Sequence, residues 1–121
     1  MDVIFVYKLD EKEYGELVKN IENKFKEYIT ELSVKITVKD KLNIRNKADV
    51  YIIISSDIEE VQNYSKSIKD KSKILILTEN LSSSYIIKSV EITKNICYLK
   101  NEIDYIFKKI YSIYIESSDI K

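Results

Sequence analysis

VYIIISSDIEEVQNYSKSIKDKSKILILT, residues 50–78, carries the fold in a single unit. Two β-branched and aliphatic runs, Val50–Ser55 and Lys73–Thr78, enclose a segment in which Ile58, Val61, Tyr64 and Ile68 recur at steps of three and four. Short continuous apolar runs mark strands buried on both faces, and the three-to-four spacing marks an amphipathic helix. Asp57 stands at the N-cap position of that helix, where a carboxylate accepts an amide hydrogen of the first turn. A strand, a helix and a second strand in about 30 residues make a parallel crossover unit.

The same alternation extends outward in both directions. Toward the N-terminus, Asp2–Tyr7 (DVIFVY) is a second continuous apolar strand. A helix is predicted over Lys12–Ile29, with Tyr14, Leu17, Val18, Ile21, Phe25 and Ile29 along one stripe. Asp10 is placed to cap it, and Glu11 and Glu13 suit the positive end of its dipole. Leu32–Val38 (LSVKITV) alternates as a half-buried edge strand does, and Asp40–Asn46 reads as a short helix or turn. Toward the C-terminus, Ser82–Val90 reads as a helix carrying Tyr85, Ile86 and Val90, and Asn95–Lys100 (NICYLK) as the fifth strand. Glu102–Ile115 is a helix with Ile103, Ile106, Phe107, Ile110 and Ile113 on one face, and residues 117–121 end the chain as a frayed tail, Glu116 included. Five strand–helix units joined by right-handed crossovers predict an α/β, flavodoxin-like, doubly wound parallel sheet of order 2-1-3-4-5, with helices on both faces, in one domain over residues 1–116.

Composition narrows the chemistry. A chain of 121 residues, 45% of them apolar, holds one core. Twenty basic residues balance 20 acidic ones, and Arg45 is the sole arginine, which argues against a nucleic-acid partner. One cysteine and no histidine exclude an internal disulfide, a thiolate or imidazole zinc site and a Ser–His–Asp triad. They fit a reducing, cytoplasmic setting. Cys97, inside a strand, reads as a small buried apolar residue. No apolar run reaches the roughly 20 residues of a membrane span, so no membrane partner is expected. No cofactor is expected either, although oxygen-ligated magnesium stays open.

Ligands of such sheets bind beyond the carboxyl ends of the strands, where the strand order reverses. The first strand delivers Lys8 and Asp10 there, the third Ser55, Ser56 and Asp57, the fourth Thr78 and Glu79, and the fifth Lys100. With ILILT ending at Thr78, CYLKN presenting Lys100 and the amphipathic EIDYIFKKI following, the whole chain resembles the receiver domain of bacterial response regulators. Receivers end strand 4 in Thr or Ser and strand 5 in Lys, and the 22-position separation of Thr78 and Lys100 fits that plan. The resemblance implies a hydroxyl and an ammonium converging on a phosphoryl group held by a strand-3 carboxylate. Other parts depart from the pattern. Tyr7-Lys8-Leu9-Asp10 leaves one acid where receivers pair two to hold magnesium, the third strand ends Ile54-Ser55-Ser56 with Asp57 late, and Asn101 follows Lys100 where proline is usual. The resemblance therefore implies a degenerate pseudo-receiver in bacterial signalling, with Asp10, Ser55, Asp57, Thr78 and Lys100 as a vestigial phosphoryl pocket. A working phosphoacceptor using Asp57 and Mg2+ is the first alternative.

A second resemblance rests on DVIFVY, the helix after it and NKADVYIIISS: the chain looks a little like a TIR domain. Some of those hydrolyse NAD with a glutamate on the helix after strand 3, which would be Glu59 or Glu60; both also read as a solvated helix face. Flavin binding needs a Ser/Thr/Gly-rich loop after strand 1, and the carboxylates of KLDEKE would repel its phosphate. On the last helix Tyr105, Tyr111 and Tyr114 fall outside the core stripe, and with Tyr85 and Ile87 they would form an aromatic patch. Receivers use this region for partners and dimers, so the expectation is a non-catalytic regulatory or scaffolding module that contacts a protein, a second copy included.

Overall fold

The computed structural model describes residues 1–9, 12–29 and 33–117. Its elements run β1 (Asp2–Val6), α1 (Lys12–Tyr28), β2 (Lys35–Lys39), β3 (Val50–Ile54), α2 (Ile58–Ser65), β4 (Ile74–Thr78), α3 (Ser83–Val90), β5 (Ile96–Tyr98) and α4 (Ile103–Ser117). All strands are parallel, in the order β2-β1-β3-β4-β5. The architecture is the expected flavodoxin-like one.

Strand alternation divides the core between the two faces of the sheet. Val3 and Phe5 of β1, Val50, Ile52 and Ile54 of β3 and Leu75 and Leu77 of β4 pack against Val18, Ile21 and Phe25 of α1 and Ile106, Phe107, Ile110 and Ile113 of α4. On the other face Tyr51, Ile53, Ile74 and Ile76 pack with Val61 of α2 and Tyr85 of α3. Each fully buried isoleucine or leucine contributes about 1.5–3 kcal/mol, so the two central strands, buried at every position, hold the molecule together. α2 ends at Ser65, one turn before the apolar stripe does, and the Lys71 ammonium takes over its end by donating to the Ser65 and Ile68 carbonyls at 2.6 and 2.5 Å.

Between β2 and β3 the segment expected as a short helix or turn takes the turn form. Residues 40–49 cross the sheet as an irregular segment with one turn at Ile44–Arg45. The asparagines account for this: Asn46 Oδ1 accepts from the Asn43 amide at 2.9 Å, and Asn43 Oδ1 from the Arg45 amide at 2.8 Å. Such local bonds compete with the helical ladder. The segment is docked rather than loose. The Tyr51 hydroxyl accepts from the Ala48 amide and donates to the Asn46 carbonyl, both at 3.0 Å, and Ser67 Oγ donates to the Leu42 carbonyl. At the C-terminus, Glu116 and Ser117 continue α4 instead of forming a tail. Asp10, Glu11, Leu32 and residues 118–121 lie outside the described residues. Among the described residues no helix is long and apolar enough to cross a membrane.

Candidate functional site

At the carboxyl ends of β1 and β3 the sheet opens into a cleft of about 340 Å³ lined by Lys8, Tyr14, Ile54, Ser55, Ser56, Asp57 and Glu60. Its organising residue is Glu60. One carboxylate oxygen lies 2.5 Å from Lys8 Nζ, and the other accepts from Ser55 Oγ at 2.7 Å. A hydroxyl has one hydrogen, so the short bond to the carboxylate takes it, and the 3.3 Å approach of Ser55 Oγ to the Asp57 carbonyl is secondary. Ser55 Oγ also accepts from the Asp57 amide at 3.1 Å. Asp57 itself has the extended backbone of an N-cap, and its carboxylate accepts from the Glu59 amide at 3.0 Å.

Ser56 organises the adjoining half. Its hydroxyl accepts from the Glu79 amide at 3.0 Å and lies 3.4 Å from the Thr78 hydroxyl, and its carbonyl accepts from Asn80 Nδ2 at 3.1 Å. Thr78 is fully buried, and its Oγ1 accepts from the Asn80 amide at 2.9 Å, so the hydroxyl serves the turn that leaves β4. Beneath this network the Tyr85 hydroxyl donates to the Ser55 carbonyl at 2.6 Å. Burial raises the Tyr85 pKa above its usual value, keeping the phenol protonated as the donor. Lys100 lies in the turn after β5, exposed, with no ion pair or side-chain hydrogen bond among the described residues. The two strand ends do adjoin, because the Leu99 amide donates to the Thr78 carbonyl at 2.8 Å.

Of the five predicted pocket residues, Ser55 and Asp57 share one cleft. Thr78 belongs to the neighbouring network, Lys100 stands apart from both, and Asp10 lies outside the described residues. Glu60 is not on a solvated face: it is drawn inward by Lys8 and Ser55. It stands three residues after the N-cap, where a capping-box glutamate would accept from the cap amide, but the Asp57 amide donates to Ser55 Oγ and Glu60 bonds Ser55 Oγ and Lys8 instead. Asn80, which joins the turns after β3 and β4, carried no signal of its own. Among the described residues no three acids or thiols gather as a metal site.

The predicted aromatic patch does not form one surface. Tyr85 is 2% exposed and belongs to the core, because α3 turns it onto the sheet. Tyr111 stacks on Phe107 with ring centroids 6.4 Å apart, and Tyr114 lies 6.2 Å from Tyr111. Phe107 in turn meets Phe25 and Tyr28, so this ladder runs toward α1. Tyr105, half exposed, lies six residues from Tyr111, about 120° around the helix. Ile87 on α3 is 60% exposed, with Leu81 and Val90 exposed near it in sequence. Cys97 is buried, its thiol pushed up by burial, and its sulfur accepts from Asn101 Nδ2. No protein-family model matches the chain, and no curated protein is significantly similar to it.

Proposed function

We propose that the chain is a non-catalytic regulatory or scaffolding module of pseudo-receiver type. It acts in bacterial cytoplasmic signalling by contact with a protein partner, a second copy of the chain included. The observation that carries this reading is the closed bonding at the switch point. Asp57 caps α2, Glu60 holds Lys8 and Ser55, and Thr78 and Ser56 serve the turns after β3 and β4. A phosphoacceptor needs a strand-end carboxylate open to an in-line donor and to a cation, whereas a binding module needs only a stable outer shape. The exposed Ile87 of α3 and Tyr105 of α4 are the side chains through which contact is proposed.

The test is intact-mass spectrometry after incubation with acetyl phosphate and magnesium, joined to light scattering. No phosphoryl adduct is expected. Self-association is expected to fall when Ile87→Asp is combined with Tyr105→Asp. One phosphoryl adduct that vanishes in Asp57→Asn would replace this reading with the phosphoacceptor. The TIR-like reading has one observation in its favour, since Glu60 lines the cleft at the switch point. NAD consumption abolished by Glu60→Gln would establish it.

A further inference from the structure

With no helix between β2 and β3, one flank of the sheet is covered by irregular chain instead. α2 and α3 pack on the face that carries Tyr51, Ile53, Ile74 and Ile76. Beside them, among the described residues, the irregular crossover segment forms the cover, with Leu42 and Ala48 packed on that face. Ile36 packs toward α1 and α4, so alternation sends Lys35, Thr37 and Lys39 to the opposite, partly covered face. They line a cleft of about 270 Å³, and Arg45, Asn46 and Lys47 line it from the crossover segment. Its floor is Ile4, 5% exposed.

Charge makes this cleft unusual within the molecule. The chain balances 20 basic against 20 acidic residues. Here Lys35, Lys39, Arg45 and Lys47 face a single acid, Asp2. None of the four cations takes part in the ion pairs among the described residues, which join Lys8 to Glu60 and Lys24 to Asp104. Lysines on an edge strand also guard it against pairing with another chain, but four cations lining one cleft give it a positive potential that favours an anion.

The geometry also selects the anion. Lys35 and Lys39 lie four residues apart on one strand face, about 13 Å along β2, too far to meet on one tetrahedral oxyanion. Thr37 and Asn46 supply neutral hydrogen-bonding groups in the same cleft, and Arg45 can grip two oxygens at once. Among the described residues no aromatic ring lines the cleft, so they offer no platform for a stacked base. We propose that this cleft binds a linear oligophosphate, an anion of two or more linked phosphates recognised through its charge and length.

The test titrates the full chain, followed by amide NMR, with tripolyphosphate, pyrophosphate and orthophosphate at low ionic strength. Shifts confined to residues 35–39 and 45–47 are expected, with affinity rising from ortho- to tripolyphosphate. Lys39→Gln with Arg45→Gln should weaken tripolyphosphate by on the order of tenfold per lost contact. Lys66→Gln with Lys88→Gln, exposed elsewhere, should leave it unchanged. Circular dichroism checks that each variant is folded. No shifts at millimolar tripolyphosphate, shifts spread over lysines of every surface, or equal weakening by the control pair would overturn the proposal. Tighter binding at this cleft of an oligonucleotide or an acidic peptide carrying the same charge would also overturn it, by assigning the cleft to that class instead.

Discussion

Tyr85 shows how much a single buried hydroxyl can decide. Its ring lies in the core beside β3 and β4, and its oxygen satisfies the Ser55 carbonyl, the first one beyond β3. Tyr85→Phe keeps the packing and orphans that carbonyl. The expected cost is about 1–2 kcal/mol of unfolding free energy, measured by urea denaturation. Tyr105→Phe, on a half-exposed ring, should stay within about 0.5 kcal/mol of the parent. Equal stability of the two variants would show that the Ser55 bond is not worth what its burial implies. Tyr85 was misread in the sequence because the buried stripe of α3 runs through Tyr85 and the polar Ser89, while Val90 points outward. A serine in a core stripe hides the stripe. The site followed the same rule. Register placed Ser55, Thr78 and Lys100 near the strand ends correctly, but the direction of each hydroxyl depends on amides from other loops. Composition carries no trace of those amides.

Gly15 is the one glycine in the chain, and it stands inside α1 on the exposed side. A Cβ built there meets nothing within 4 Å. The glycine therefore loses backbone freedom on folding without any close approach to justify it. Gly15→Ala is expected to stabilise the protein by about 1 kcal/mol, seen as a rise in the urea midpoint with unchanged slope. A loss of stability would mean that the backbone of α1 is held in some other way at this position. Helices with a full apolar stripe, such as α1 and α4, were legible from spacing alone, and their ends moved by no more than two residues. The segment 40–46 was legible only as a choice between a short helix and a turn, and it takes the turn. Leu42 and Ile44 cannot form a stripe, and the decisive forces are the Asn43 and Asn46 side chains bonding to nearby amides. β2 likewise starts at Lys35, three residues later than its alternation suggested, because its pairing begins opposite Asp2. The basic cleft was hidden for a related reason. KITVK places two lysines on one side of a strand, but only the irregular crossover beside it leaves that side partly open.

At the scale of the whole molecule, the sheet is unequally protected. β1, β3 and β4 are covered on both faces, and Phe5, Ile52, Ile53, Ile76 and Leu77 are completely buried. β2 is an edge strand with no fully buried residue, backed by α1 on one face and by the crossover segment on part of the other. Amides open in cooperative units, and each unit's stability follows the apolar surface it holds. The amides of β1, β3 and β4 paired to one another should therefore exchange only on global unfolding, at a rate set by the stability that urea measures. Those at the β2 edge should open separately, at least roughly tenfold faster. Native-state hydrogen exchange separates these cases, and Tyr51→Phe sharpens the test. Losing the hydroxyl that pins Asn46 and Ala48 frees the crossover segment, so exchange should quicken around residues 35–48 while the central strands change only by the global loss of stability. If β2 instead exchanged in step with β1 in both proteins, the edge would belong to the same cooperative unit as the core. The crossover segment would then be as good a cover as a helix.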